Sequence, residues 1–211
     1  MNSDPFRQVL KIADVLADLD RPWYVAGGWA IDLYVQKQRR NHKDVDIAIF
    51  RRDQITVQQY LMDRAWTLSR FIGDSGALEG MAASQHLELP DRGIHAEPPG
   101  ELPAIDLLLS ETNDDQWWYH ADPKITHPLR TVGLSSKRGV PILAPEIVLL
   151  FKARHLYQQD DDSLRHRQAD EGDFQDVQEA LTGEQRSWLA WAIGRLYPQH
   201  PWLDQLKGGN S

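Results

Sequence analysis

The sequence predicts an α+β protein, in which a mixed β-sheet with flanking helices is followed by a wholly helical C-terminal part. Short apolar runs of strand length recur up to Leu143, with helical patterns between them. One of these runs alternates apolar and acidic residues, as a half-buried strand does. After Pro145, only segments with helical spacing follow. We therefore expect two domains, at residues 1–143 and 144–211, each of a size that can enclose a core.

Composition narrows the class of protein. The 211 residues are 41% hydrophobic and 26% charged, as in ordinary globular proteins, and no apolar run approaches the roughly 20 residues of a membrane span. The N-terminus lacks the layout of a secretory signal. The absence of cysteine excludes disulfides and thiolate metal sites and fits the cytoplasm. A net charge of −8 argues against a general nucleic-acid binder.

The first elements place a glycine pair between a strand and a helix. Asp4 and Pro5 predict the start of a helix that continues to about residue 19. A short buried strand at residues 23–26 ends at Gly27 and Gly28, and residues 29–35 then have a helical pattern. Paired glycines permit close approach of a ligand to the backbone amides. A phosphate group is therefore predicted at the N-terminus of this helix.

Two aspartates flank Val45 at the start of the next strand. Side chains at i and i+2 share one face of a strand, so Asp44 and Asp46 are predicted to lie side by side. Neighbouring carboxylates repel each other unless a cation lies between them, and a hard divalent ion such as Mg²⁺ takes oxygen ligands. The preceding loop concentrates basic residues that suit phosphate: Lys37, Arg39, Arg40, His42 and Lys43.

The middle of the chain predicts a third acid on a strand. A helix is expected at 52–64. Further strands are predicted at 66–72, 86–89, 93–96, 104–110, 132–135 and 140–143. Asp106 lies in the otherwise apolar strand at 104–110. It either bonds to an arginine or to backbone amides, or joins Asp44 and Asp46, and the presence of that pair favours the second interpretation. His86 and His95 are interpreted as sheet-surface residues.

The C-terminal part predicts three helices. The first begins at Pro145, and the others cover residues 165–181 and 184–196. Thr182 and Gln185 have the spacing of a capping box for the last of them.

The pattern G-G-x-A-x-D followed by R-x-H-x-D-h-D, with h apolar, resembles the nucleotidyltransferase superfamily typified by DNA polymerase β. More narrowly, it resembles the aminoglycoside-2''-adenylyltransferase and lincosamide nucleotidyltransferase group. The strand acid Asp106 extends the resemblance, as do, more loosely, the PEIVLLFKAR helix and the DEGDF stretch at 170–174. The residues that carry the pattern are Gly27, Gly28, Trp29, Ala30, Asp32, Arg40, His42, Asp44 and Asp46.

The resemblance implies a cleft between the sheet and the helical domain. It also implies transfer of a nucleoside monophosphate, usually AMP from ATP, to a hydroxyl group with release of pyrophosphate. Asp44 and Asp46 are then expected to hold one or two Mg²⁺ ions. Asp106 is expected to complete the coordination or to accept the hydroxyl proton as general base, and Glu146 is its rival as base.

The other predicted roles concern the triphosphate and its surroundings. The amides of Gly27 and Gly28 are expected to bind phosphate oxygens, with Arg40 supplying paired donors and Lys152 a second cation. His42 and Asp32 are predicted to be structural, Asp32 by fixing the loop or by pairing with a basic residue. Glu146, Asp170 and Asp173 are interpreted chiefly as helix-surface charges, with contact to the acceptor pocket as the alternative for Asp170 and Asp173.

The predicted acceptor is a small hydroxylated molecule, and the acidic net charge suits a cationic antibiotic. Two alternatives remain open. The same chemistry could act on tRNA or protein, as in toxin-type nucleotidyltransferases, although nucleic acid fits the acidic charge poorly. The chain could instead be a nucleotide-binding module without activity, against which the three aspartates argue. The donor base, the regiochemistry and the oligomeric state are not predicted.

Overall fold

The computed structural model describes residues 4–73, 76–82, 84–157 and 161–208. It confirms the predicted fold class, a mixed sheet with flanking helices followed by helices alone. The helices are α1 (Arg7–Val15), α2 (Gly27–Val35), α3 (Gln54–Met62), α4 (Pro145–Tyr157), α5 (Asp161–Val177), α6 (Gly183–Leu196) and α7 (Trp202–Lys207). The strands are β1 (Trp23–Val25), β2 (Val45–Phe50), β3 (Thr67–Ile72), β4 (Ala77–Gly80), β5 (Gly93–Glu97), β6 (Ile105–Asn113), β7 (Gln116–Tyr119), β8 (Asp122–Pro128), β9 (Gly133–Ser135) and β10 (Pro141–Leu143).

The described strands form one sheet in the order β4-β3-β5-β6-β2-β1-β10-β9, and β7 bridges β6 and β8. Strands β2 and β6 run parallel and are in register with Asp46 opposite Asp106. Their alternate residues, Ile47 and Leu107 among them, are buried in the core. Because side chains alternate between faces, burial of these residues turns both aspartates to the other face.

The predicted boundary after residue 143 falls between β10 and α4. Strand β10 pairs in parallel with β1, and α4 packs against α2, α5 and α6. Thr182 and Gln185 form the predicted capping box at the start of α6. The division into two domains stays a prediction. None of the helices in the described ranges is long and apolar enough to cross a membrane.

Two features near the N-terminus differ from the predictions. Helix α1 covers Arg7–Val15 instead of running from Pro5 to about residue 19, and the carboxylate of Asp4 accepts a hydrogen bond from the Phe6 backbone N–H at 3.0 Å in the turn before it. Helix α2 begins at Gly27 rather than at Trp29, so both glycines belong to its first turn. The amides that we predicted to bind phosphate therefore belong to the first turn of the helix itself.

The expected strand at residues 86–89 is wrong. Its backbone is bonded by side chains instead of by a neighbouring strand. The side-chain oxygen of Gln54 accepts from the Leu87 N–H at 2.8 Å, and the Leu87 carbonyl accepts from Gln54 Nε2 and Arg51 Nη1. The edge strand of this region is β4, which pairs with β3. Strands β4, β7 and β8 and helix α7 were not predicted.

Candidate active site

Three aspartates lie at the starting ends of β2 and β6. Asp46 and Asp106 lie on adjacent parallel strands at the same register position. Asp44 immediately precedes β2 and is exposed, and its carbonyl accepts a hydrogen bond from Trp29 Nε1 at 3.1 Å. Burial, and then the charges of Asp44 and Asp106, raise the pKa of Asp46 from 3.8 to about 7. The negative charges of Asp44 and Asp106 therefore oppose the ionisation of Asp46.

Asp106 has a partner that the sequence did not indicate. Its Oδ1 lies 2.6 Å from Nδ1 of His95, and Nε2 of the same ring lies 2.9 Å from Oε1 of Glu97. Burial raises the pKa of Asp106, and the hydrogen bond from His95 only partly offsets this. Burial alone would lower the pKa of His95, but its bonds to Glu97 and Asp106 raise it. His95 is thus more than the surface residue we predicted.

The glycine pair brings the start of α2 against the acids and against the basic loop. A Cβ on Gly27 would lie 1.8 Å from Oδ2 of Asp46, and a Cβ on Gly28 would lie 2.4 Å from the His42 ring and 2.6 Å from Nη2 of Arg40. No side chain caps this helix N-terminus. The backbone of the first turn of α2 therefore lies directly against the carboxylate of Asp46 and the guanidinium group of Arg40, with no side chain between them.

Asp32 fixes the basic loop, as predicted. Its side chain is fully buried on α2 and accepts from Nε of Arg39 at 2.7 Å, while its second oxygen lies 2.7 Å from Nε2 of His42. The His42 ring packs on Trp29 with ring centroids 4.4 Å apart. The structural roles expected for Asp32 and His42 agree with these contacts.

Asp173 on α5 is the shared partner of three cations. Its carboxylate lies 2.7 Å from Arg39 and 2.8 Å from Lys152, and Arg40 is more distant at 3.9 Å. Lys152 is also held by Asp170 at 2.5 Å. The predicted phosphate ligand Lys152 is therefore buried between two carboxylates, whereas the side chain of Arg40 is 40% exposed.

The interpretation of Glu146, Asp170 and Asp173 as surface charges is wrong. Their exposed fractions are 3%, 3% and 1%. Glu146 bonds to Nε2 of His127 at 3.1 Å and to Nε2 of Gln185 at 2.8 Å. Asp170 and Asp173 share a helical spacing with the buried Phe174 and Val177, at i, i+3, i+4 and i+7. That spacing was the available signal that both acids face inward.

We expect Asp173→Asn to lower the free energy of unfolding by about 3–5 kcal/mol, because it leaves Arg39 and Lys152 buried with one carboxylate fewer. Asp176→Asn is the matched control on the same helix. Asp176 also binds Arg39, at 3.0 Å, but its side chain is 53% exposed, so its loss should cost about 1 kcal/mol or less. Urea denaturation of the three proteins measures both changes, and equal losses in the two variants would contradict the assigned role of Asp173.

The donor set suits a divalent cation. Within the described ranges, no three histidine or acidic side chains are gathered closely enough to hold a metal ion as they stand. Burial, followed by the charges of Asp44 and Asp106, raises the pKa of Asp46, so a cation at this position would offset the repulsion between the carboxylates. Carboxylate oxygens are ligands that Mg²⁺ prefers.

Comparisons with known proteins bear on the fold and the family. The profile of the aminoglycoside-2''-adenylyltransferase family matches residues 8–72. The comparison with curated protein sequences gave no significant match. Among solved structures, ANT(2'')-Ia in complex with adenylyl-2''-tobramycin has a TM-score of 0.58 and 15% identity, with 89% of this chain and 96% of that chain covered.

Two further structures are similar. Lincomycin-bound LnuA, a lincosamide antibiotic adenylyltransferase, has a TM-score of 0.54 and 19% identity over 83% of this chain and 98% of that chain. An antigenic nucleotidyltransferase-like protein from Paracoccidioides brasiliensis has a TM-score of 0.52 and 19% identity over 97% and 92%. At these identities the likeness shows the fold alone. The chain thus has the nucleotidyltransferase fold, and with the family match this confirms the predicted resemblance and indicates a nucleotidyltransferase.

Proposed function

We propose that the protein is a Mg²⁺-dependent nucleotidyltransferase that transfers AMP from ATP to a hydroxyl group of a small molecule and releases pyrophosphate. The observation that supports this most directly is the register of β2 and β6, which places Asp46 beside Asp106. The glycine-rich start of α2 adjoins the same carboxylates. A cytoplasmic location, where ATP is abundant, is part of the proposal.

The triphosphate would bind at the start of α2. The uncapped amides of the first turn, which include those of Gly27 and Gly28, carry the positive end of the helix dipole. Arg40 adjoins Gly28 and can offer two parallel donors to phosphate oxygens. Lys152 supports the site from its buried position, since its charge lowers the pKa of Asp46.

Asp44, Asp46 and Asp106 would hold one or two Mg²⁺ ions. When bound, such an ion neutralises triphosphate charge and makes the α-phosphorus more electrophilic. Burial of Asp46 between two other acids makes its ionised form costly without a cation. The same arrangement therefore favours binding of a cation once Asp46 has lost its proton.

Asp106 is the better candidate for the general base. The acceptor oxygen forms a bond to the α-phosphorus, the bond from that phosphorus to the β-phosphate oxygen breaks, pyrophosphate leaves with the electron pair, and Asp106 takes the hydroxyl proton. The raised pKa of Asp106 makes it a stronger base than an ordinary aspartate. Glu146 is less suited, because its two oxygens already bond to His127 and Gln185.

For the acceptor we propose a small hydroxylated antibiotic of the aminoglycoside or lincosamide kind. Of the similar structures, that of ANT(2'')-Ia contains adenylyl-2''-tobramycin and that of LnuA contains lincomycin. The net charge of −8 also favours a cationic acceptor over nucleic acid.

Pyrophosphate release tests the proposal. The protein is incubated with Mg²⁺ and each of the four nucleoside triphosphates, against a panel of aminoglycosides, lincosamides and tRNA, with EDTA as the control. We expect ATP with at least one antibiotic to release pyrophosphate, and EDTA to abolish the release. Pyrophosphate release with tRNA and with none of the antibiotics would instead support a macromolecular acceptor. Binding of ATP without pyrophosphate release from any acceptor would contradict the proposed activity.

A further inference from the structure

His95 lies where it can control the orientation of Asp106. The two residues face each other on the antiparallel strands β5 and β6. Directly opposite residues in such a pair have their Cβ atoms about 4.5–5.5 Å apart. The observed distance of 2.6 Å between Nδ1 of His95 and Oδ1 of Asp106 is a short, well-formed hydrogen bond. One of the two oxygens of Asp106 is thereby engaged.

The imidazole ring is itself held from two other sides. Glu97 lies two residues along β5, so its side chain leaves the same face of the strand, and its Oε1 lies 2.9 Å from Nε2. The ring of Phe71 on β3 meets the imidazole edge-on, with centroids 6.2 Å apart. Because a carboxylate only accepts hydrogen bonds, the two carboxylates together suit an imidazole that carries a proton on both nitrogens and donates from each. The ring therefore cannot turn without losing contacts on both nitrogens.

We propose that His95 is a positioning residue for nucleotidyl transfer. Its Nδ1–H holds Oδ1 of Asp106, so that Oδ2 is the oxygen left for the cation and the acceptor hydroxyl. This inference rests on the proposed function and specifies which oxygen of Asp106 acts in it. A group that orients a reacting carboxylate affects turnover more than substrate affinity, because its contribution is realised at the reacting atoms.

Two variants of His95 distinguish a specific hydrogen bond to Asp106 from the mere presence of a polar side chain at this position. In His95→Asn the side-chain amide nitrogen can take the place of Nδ1, whereas in His95→Gln it reaches the place of Nε2. We expect kcat to fall about 10- to 100-fold in His95→Gln, as for loss of one hydrogen bond to a charged group. In His95→Asn it should fall only about threefold. The KM for ATP should stay within about twofold of the wild type in both variants.

The measurement is steady-state pyrophosphate release with the acceptor identified by the panel. It is accompanied by calorimetric titration with Mg²⁺ and a non-hydrolysable ATP analogue, and by thermal unfolding as the fold control. Equal values of kcat in the two variants would overturn the inference. So would a loss of analogue affinity in His95→Gln as large as its loss of kcat. Wild-type protein that transfers to no acceptor would overturn the proposed function together with this inference, whereas active wild type with equal variants overturns this inference alone.

Discussion

Folded Asp46→Asn protein is expected to lose at least about a thousandfold in kcat. Asparagine keeps the shape of the side chain but removes the charge that a divalent cation requires. A bound cation contributes several kcal/mol to transition-state stabilisation, and each 1.36 kcal/mol is a tenfold change in rate. Pyrophosphate release under saturating ATP and Mg²⁺ measures the loss. Activity like that of the wild type in a folded variant would defeat the assignment of Asp46.

The same substitution should stabilise the cation-free protein at high pH. The pKa of Asp46 is raised from 3.8 to about 7, so between these values the folded protein retains a proton that the unfolded chain has lost. Wild-type stability therefore falls as the pH rises through this window and stays lower above it. The amide side chain of the variant has no proton to lose in this range. In EDTA, urea denaturation should show Asp46→Asn more stable than the wild type at pH 8, with a smaller difference at pH 5.

Addition of Mg²⁺ gives this prediction a readout that is independent of turnover. A ligand that binds only the folded state stabilises it by mass action. Mg²⁺ should raise the unfolding temperature of the wild type and leave that of Asp46→Asn nearly unchanged. Equal stabilisation of both proteins would place the cation elsewhere.

Gly27→Ala is expected to reduce kcat by about a hundredfold or more. A Cβ at this position would lie 1.8 Å from Oδ2 and 2.8 Å from Cγ of Asp46, so the carboxylate would have to move. A displacement of about 1 Å at a reacting centre costs on the order of a hundredfold in rate. Gly27 also has a φ of +56°, where a side chain adds about 1–2 kcal/mol of strain. Kinetics and thermal unfolding measure the two effects.

Gly172→Ala is the matched control for this change. Gly172 lies within α5, and a Cβ there would meet no heavy atom within 4 Å. Alanine in a helix interior is favoured over glycine by roughly 0.5–1 kcal/mol, so the control should be slightly more stable and fully active. Comparable losses in the two variants would show that the effect at Gly27 does not arise from its contact with Asp46.

The parts of the site that could be predicted are those encoded by local periodicity. The alternation around Val45 and the single acid in the predicted strand at 104–110 pointed to Asp46 and Asp106, because a strand in a half-buried sheet leaves a two-residue period in its own sequence. The glycine pair was recognisable because it directly follows the apolar run at 23–26. These signals depend only on neighbours along the chain, and they also carried the resemblance to the nucleotidyltransferases.

The parts that were missed depend on pairing between distant segments. His95 reaches Asp106 only because β5 and β6 pair in one particular register, and the intervening turns have no clear pattern. Asp173 pairs with Arg39, more than a hundred residues away in the sequence. The helical pattern of α5 does not predict which element packs against the face that carries Asp173. The partners of a buried charge follow from tertiary packing.

The parallel register of β2 and β6 links the packing of the core to the positions of the two aspartates. The apolar residues that fix the register, such as Ile47 and Leu107, lie on one face, and the two aspartates lie on the other. A slip of one residue in either strand would bury its acid and expose its apolar side chains. Packing of these buried side chains therefore determines how far apart the carboxylates of Asp46 and Asp106 lie. Natural or engineered changes to those buried residues are constrained by catalysis although they touch no substrate.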